Sequence, residues 1–269
     1  MEEIGFYKGE SGAICLQVNG ISEELKTAVR DNLSAICNGF AKVTRNSELY
    51  SYKKTLGNFL QRYDKKSQSS QKGIIGELLT HVLVLHFEKN FKAVSPLFNL
   101  EEEGNKKGFD LVLRDANEKT LWFAEVKSGD CGKKTSDQKL GGLLTTAKNS
   151  LKENLNSDRY TLWQNAINGA SIVIENGKLK EQLIEVLEAS NLKALEAKNS
   201  SKDYNAILVA VCYAGNQSFA TDKEFEARHT EVQASNDFKS LISVSVQKDA
   251  HDSVVVFLRE EHESGKCSS

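Results

Sequence analysis

The segment from Ile74 to Phe87 restricts the fold more than any other, because it is apolar on almost every face of a helix. Its apolar positions are Ile74, Ile75, Leu78, Leu79, Val82, Leu83, Val84 and Leu85. Such a pattern predicts a helix buried within a domain. Gly73 and Gly76 would let this helix approach neighbouring strands closely. Glu77 lies inside the apolar segment, where a carboxylate needs a partner or a metal ion.

Short runs of β-branched and aromatic residues after this helix predict strands of one sheet. They cover residues 91–97, 109–113 and 120–126, and the turn-like segments EEEGNKKG and RDANEK separate them. Other apolar runs predict further strands over residues 13–18, 204–213, 241–246 and 253–258. The polar segment QKDAHD would join the last two strands, and the tail after Arg259 is expected to be frayed.

Helical periodicity and capping residues predict the remaining elements. Ser22 precedes an acidic first turn and caps a helix, and Ser136 and Thr221 are expected to begin others. Further helices are predicted over residues 47–63, 136–155, 160–168, 178–197 and 221–234. Helices before and after a run of strands favour an α/β fold with a mixed central sheet flanked by helices and a helical N-terminal region.

The polar run DKKSQSSQK, residues 64–72, is typical of a linker or an exposed turn and marks a candidate boundary. We therefore expect a mainly helical region over residues 1–70 that can contact a partner. One domain would cover residues 71–260, and a flexible tail would cover residues 261–269.

Composition restricts the class of protein. Of 269 residues, 39% are hydrophobic and 27% are charged, which is typical of a globular chain. No apolar run approaches the roughly 20 residues of a membrane-spanning helix, so we expect no membrane association and a cytoplasmic location. Five widely spaced cysteines indicate free thiols rather than a zinc site. With a net charge of −2, the protein as a whole has no positive field that would attract a polyanion. Binding of nucleic acid would therefore require a local basic surface.

Charged side chains are embedded in two of the predicted strands. The segment G-F-D-L-V-L places Asp110 near the start of one strand, and F-A-E-V-K places Glu125 and Lys127 on the next. Because side chains alternate along a strand, Glu125 and Lys127 point to one face while Val126 points into the core. Two neighbouring strands thus bring two carboxylates and a lysine together.

When two carboxylates lie side by side, the pKa of at least one of them is raised, or a cation is required between them. The side chains of Asp110 and Glu125 and the backbone carbonyl of Val126 suit a hard ion such as Mg²⁺ or Mn²⁺. Glu77 is a further candidate ligand. Lys127 would position or deprotonate a water that attacks a phosphate, and would offset charge in the transition state. The pattern predicts a metal-dependent site that cleaves phosphodiester bonds.

Three segments resemble, in their order along the chain, the motifs of the PD-(D/E)xK nuclease superfamily. They are G-I-I-G-E-L-L-T-H, K-G-F-D and A-E-V-K-S-G. The resemblance covers about residues 73–129, and Phe109 replaces the proline that usually precedes the aspartate. It implies a restriction-endonuclease-like fold and a catalytic site formed by Glu77, Asp110, Glu125 and Lys127.

More narrowly, the chain is similar to the HamA family, the nuclease subunits of the Hachiman anti-phage defence system. The helical N-terminal region, the motif order and the extended α/β region after the motifs carry this similarity. It implies DNA as the substrate. It also implies a superfamily 2 helicase partner that restrains the nuclease until foreign or damaged DNA is sensed.

The superfamily resemblance also suggests residues that bind the substrate. Many members carry a glutamine or lysine that faces the phosphate on the helix after the motif lysine, and Gln138 and Lys139 occupy that place. Lys133 and Lys134 are expected to contact the substrate as well. The lysines that gather around the motifs in sequence would form a local basic surface; they are Lys106, Lys107, Lys133, Lys134, Lys139 and Lys148.

Several other interpretations stay open. A Glu/Lys pair on a strand is most simply a solvated sheet face. A nuclease that acts on RNA, or a catalytically silent scaffold or regulatory subunit, would have the same fold, although the intact set of Asp110, Glu125 and Lys127 argues against silence. His81 is expected to be a packed or solvated residue, and Cys131 lacks the partners of a nucleophile.

Overall fold

The structure of the protein, a computed structural model, describes residues 4–97, 108–115, 120–175 and 177–264. Within these residues the strands are β1 Gly5–Lys8, β2 Ala13–Val18, β3 Phe91–Ala93, β4 Leu111–Asp115, β5 Leu121–Asp130, β6 Asn205–Tyr213 and β7 Ser240–Lys248. The α-helices are α1 Glu23–Asn38, α2 Phe40–Arg45, α3 Tyr52–Asp64, α4 Gln68–Phe87, α5 Ser136–Asn156, α6 Tyr160–Val173, α7 Lys178–Leu195, α8 Asp222–Gln233 and α9 His251–Ser264.

The strands form one mixed sheet in the order β1-β2-β7-β6-β5-β4-β3. Strands β2, β7, β6 and β5 run parallel to one another, while β1, β4 and β3 extend the two edges with antiparallel pairs. The predicted mixed α/β architecture is therefore confirmed. Strand β6 is buried along its whole length, as expected for a central strand covered on both faces.

Helices cover both faces of the sheet and enclose two hydrophobic clusters. The first cluster joins α1, α3, α4 and α9 to one face, and the second joins α5, α6, α7 and α8 to the other. Helix α4 lies within the first cluster, which confirms the burial predicted from its sequence. Residues on both sides of position 70 belong to this first cluster, and the division of the chain near residue 70 stays a prediction.

Several helix starts follow from capping side chains. Ser22 accepts a hydrogen bond from the Leu25 amide, which confirms its predicted role. Helix α5 begins with a capping box in which Thr135, not Ser136, is the cap and pairs with Gln138. Thr221 caps α8 in the same way.

The C-terminal strand predicted over residues 253–258 is wrong, because this segment lies in helix α9. Val254, Phe257 and Leu258 are buried, whereas Val256 is 53% exposed. That spacing matches a helix, while the valine run had favoured a strand through its intrinsic propensity. The expectation that the chain frays directly after Arg259 is also wrong, because helix α9 continues to Ser264. Residues 265–269 lie outside the described residues.

Other element bounds differ from the prediction by several residues. Only residues 65–67 of the polar run connect two helices, because Ser67 caps α4, which begins at Gln68. The helix predicted over residues 47–63 begins at Tyr52. Strand β1 was not predicted, and β3 is shorter than expected.

Candidate active site

Asp110 lies directly before β4, next to the middle of β5. The antiparallel register pairs Leu111 with Ala124, so β5 continues beyond the point where β4 begins. At that point the Val126 amide donates a hydrogen bond of 2.8 Å to Asp110 Oδ2. The contact holds one predicted carboxylate against the strand that carries the predicted glutamate and lysine.

Glu125 and Lys127 lie on the same face of β5, as predicted from strand alternation. Lys127 Nζ is 2.6 Å from Glu125 Oε1. Ser150 of α5 donates a second hydrogen bond, also 2.6 Å, to the same oxygen. Val126 points the other way, into the first hydrophobic cluster. The solvated-pair interpretation is wrong for Glu125, because this residue is only 4% exposed.

The second carboxylate oxygen of Glu125 has a different environment from the first. Oε2 is buried and accepts no hydrogen bond within the described ranges of the chain. A buried carboxylate oxygen without a donor is unfavourable unless a cation binds it. This oxygen is therefore the feature of the site that best fits a metal ion.

Lys127 carries a positive charge beside this carboxylate. Burial alone would lower the pKa of Lys127, but the charge and hydrogen bond of Glu125 raise the pKa above its ordinary value. The charges of Asp110 and Glu77 act in the same direction. The lysine is thus held as an ammonium group.

Glu77 approaches the site from the opposite layer, because α4 covers the face of the sheet that Val126 occupies. Its charge raises the pKa of Lys127. Gly76 allows the close approach predicted for this helix, since a Cβ atom there would lie 2.7 Å from Ser128 Cβ. The same prediction is wrong for Gly73, where an added Cβ atom would meet nothing within 4 Å.

The predicted substrate-binding residues occupy the loop after β5 and the start of α5. Lys139 Nζ lies 2.8 Å from the position that a Cβ atom of Gly129 would take. Gln138 Oε1 accepts a hydrogen bond from the Thr135 amide, and Lys133 and Lys134 are exposed. Lys148 is close to Asp237, and Lys106 and Lys107 lie outside the described residues.

Two other predictions concerned residues near the motifs. His81 is buried within α4, as expected for a packed residue. Cys131 is a free thiol in contact with Cys212, and Cys15 and Cys37 are also free. The prediction of free thiols is confirmed for these four residues, and Cys267 lies outside the described residues.

Comparison with known families gives a match over nearly the whole chain. A family model described as HamA matches residues 8–260 of 269. The chain belongs to the HamA family. It is therefore an anti-phage defence protein of the Hachiman type, as the resemblance implied. No curated protein matches the sequence.

The matched region of this HamA family member includes every predicted site residue. In the described part of the chain, no three His, Cys, Asp or Glu side chains form a group that could hold a metal ion. Mg²⁺ is usually held by one or two carboxylates and several waters rather than by a protein cage. Asp110 and Glu125 fit that simpler coordination, and Glu77 stays a predicted ligand.

The structure also identifies a site contact in this HamA family member that sequence reasoning missed. Ser150 lies 25 positions after Glu125, and no motif distinguishes it from other hydroxyl residues of α5. Only the packing of α5 on β5 brings the two side chains together.

Of the helices that the structure describes, none has the length and apolar character needed to cross a membrane.

Proposed function

We propose that the chain is a metal-dependent nuclease of the PD-(D/E)xK type, which hydrolyses phosphodiester bonds in DNA as the effector of its defence complex. The Glu125–Lys127 pair on β5, beside Asp110, carries the proposal. Glu125 is buried and one of its oxygens has no donor among the described residues, which favours binding of a divalent cation. The mixed sheet with helices on both faces is compatible with a restriction-endonuclease-like fold.

Asp110 and Glu125 would hold Mg²⁺ or Mn²⁺. The carbonyl of Val126 and the side chain of Glu77 are further candidate ligands. When bound, such an ion polarises a phosphate and lowers the pKa of a water. Lys127 would oppose the negative charge that grows on the phosphate as a water, which gives up a proton to solvent, bonds to phosphorus. The bond to one sugar oxygen breaks in the same step, and that oxygen takes up a proton from solvent.

Nucleic acid would approach this site along the loop after β5 and the first turn of α5. Lys139, Lys133 and Lys134 would contact phosphates, and Gln138 lies in the same turn. These contacts would supply the local positive charge that the net charge of −2 does not provide.

The proposed partner is a superfamily 2 helicase subunit, HamB-like, that restrains the nuclease and delivers its substrate. Membership of the HamA family supports this proposal. The net charge supports it as well, because a chain without a strong basic field has little affinity of its own for the host genome.

The test measures degradation of plasmid, linear and single-stranded DNA with Mg²⁺ and the helicase partner. Asp110→Ala, Glu125→Ala and Lys127→Ala should each abolish degradation, while circular dichroism shows an intact fold. Lys193→Ala removes an exposed lysine of α7 and should leave degradation unchanged. A chelator should stop the wild-type reaction.

Three results would overturn the proposal. Full degradation by the triple variant would exclude the site. Cleavage of RNA alone by the wild type would assign a different substrate. A lack of cleavage of either nucleic acid by the wild-type complex would favour the catalytically silent scaffold.

A further inference from the structure

We infer that Ser150 is a positioning residue of this site, which fixes the Glu125 carboxylate so that Oε2 is the oxygen available to a divalent cation. The inference rests on the proposed function, because it assigns a role in binding the proposed metal. It concerns a residue that lies outside the motifs and contacts the site through its hydrogen bond to Glu125.

The two oxygens of Glu125 are divided between donors and a cation. A carboxylate oxygen has two lone pairs that accept hydrogen bonds. Both donors at this carboxylate, the Ser150 hydroxyl and the Lys127 ammonium, lie 2.6 Å from Oε1. Oε2 is buried and has no donor within the described residues. Oε1 is thus occupied, and Oε2 is left for a ligand from outside the described residues, which the proposed cation would supply.

Ser150 differs from the two threonines in the middle of the same helix. A serine or threonine inside a helix commonly bonds to the carbonyl four residues before it. Thr145 and Thr146 do so, to Gly141 and Gly142. Ser150 instead donates across to β5. Its hydroxyl therefore bonds to Glu125 rather than to a carbonyl of its own helix.

Loss of this contact would loosen the carboxylate. The terminal torsion of a glutamate side chain has broad minima, so one donor alone leaves the carboxylate free to rotate. The Ser150 hydroxyl and the Lys127 ammonium approach from two elements, α5 and β5, and together restrict that rotation. Removing a hydrogen-bond partner of a metal ligand typically costs about 10–100-fold in metal affinity.

The experiment measures Mn²⁺ binding to the full chain without nucleic acid, by electron paramagnetic resonance of free Mn²⁺. Ser150→Ala should weaken Mn²⁺ binding by about 10–100-fold. Ser150→Thr retains the hydroxyl and should recover much of the affinity. Ser150→Cys keeps the size of the side chain but donates weakly, and it should weaken Mn²⁺ binding as Ser150→Ala does. It keeps the test valid if the alanine variant folds poorly. Thr146→Ala, a matched change on the same helix, should bind as the wild type does.

A second variant separates failure of this inference from failure of the proposed function. If Glu125→Gln binds Mn²⁺ as tightly as the wild type, no metal is held by Glu125, and the proposed function fails. If Glu125→Gln loses binding but Ser150→Ala and Ser150→Cys keep it, the proposed site stands and the role of Ser150 is overturned. In nuclease assays Ser150→Ala should raise the Mg²⁺ concentration for half-maximal rate more than it lowers the rate at saturation.

Discussion

Gly76 of α4 lies so close to Ser128 of β5 that a Cβ atom on the glycine would stand 2.7 Å from Ser128 Cβ. Two hydrogen bonds fix the helix at this point, since Ser128 Oγ and the Tyr213 hydroxyl both donate to the Lys72 carbonyl. The contact sets the height of α4 above the strand that carries the proposed site. Glu77, the next residue, depends on it for its position.

We expect Gly76→Ala to lower the free energy of unfolding by about 1–3 kcal/mol, as overpacking does in a tight interior. The matched control is Gly73→Ala on the same helix, where the added methyl group meets nothing within 4 Å. It should raise stability by about 0.5–1 kcal/mol, because alanine is the better helix residue. Urea unfolding curves of the two variants measure both changes. Equal effects at the two positions would contradict the close contact.

A second prediction tests whether the C-terminal segment is a helix. Leu258→Ala should destabilise the protein by about 2–5 kcal/mol, because it empties a buried position of α9. Val256→Ala removes an exposed side chain and should change stability by no more than about 0.5 kcal/mol. In a strand these two residues would share one face. Comparable losses for both variants in urea unfolding would therefore support a strand.

The sequence was informative where a short pattern fixes local structure. Apolar residues on every face predicted the buried helix α4, and alternation along β5 predicted that Glu125 and Lys127 share a face. Both features depend only on neighbours in the chain. The nature of α9 was not accessible in this way, because its valine run favours a strand until packing decides.

Contacts between distant elements could not be predicted. The bond from Ser150 to Glu125 depends on how α5 lies on β5, and no local pattern encodes that angle. The sequence placed Glu77 near the sheet, but it did not indicate that α4 would lie on the face opposite Lys127. Likewise, Gly73 and Gly76 are equivalent in sequence and differ only in what faces them.

Buried His229 predicts how stability depends on pH. Its Nδ1 lies 2.9 Å from Ser243 Oγ, and its Nε2 lies 2.9 Å from the Ser11 carbonyl oxygen. Burial lowers the pKa of His229 below its ordinary value. The unfolded chain thus binds a proton at this histidine more readily than the folded chain, and stability is lost as pH falls below about 6.5.

We expect the free energy of unfolding, measured in urea between pH 7.5 and pH 5, to fall more steeply for the wild type than for His229→Gln. Glutamine retains a donor and an acceptor but does not titrate, so the variant isolates the proton from the packing. Parallel pH profiles for the two proteins would show that His229 does not contribute.

Thiol reactivity offers a fourth test. Burial raises the pKa of Cys15 to about 12 and that of Cys37 to about 12. The thiolate is the reactive form, so iodoacetamide at pH 8 should leave both residues unmodified in the folded protein and label them in urea. Peptide mass spectrometry assigns the label to each position. Rapid labelling of either thiol without denaturant would contradict its burial.

The last prediction concerns Lys139 and depends on the proposed function. Gly129 lies two residues after Lys127 on β5, and the Lys139 ammonium lies 2.8 Å from the place of its missing Cβ atom. The glycine thus leaves room for a second positive charge near the proposed site. A lysine that contacts one phosphate contributes about one unit to the dependence of binding on salt.

We expect Lys139→Gln, made in the inactive Asp110→Ala background, to weaken DNA binding uniformly across sequences and to reduce the slope of log affinity against log salt by about 1. Fluorescence anisotropy at several salt concentrations measures this slope. Lys193→Gln, a change of an exposed lysine on α7, should leave it unchanged. An unaltered slope for Lys139→Gln would mean that this ammonium packs against β5 and does not contact a phosphate. An equal loss in both variants would instead indicate diffuse attraction by the whole surface.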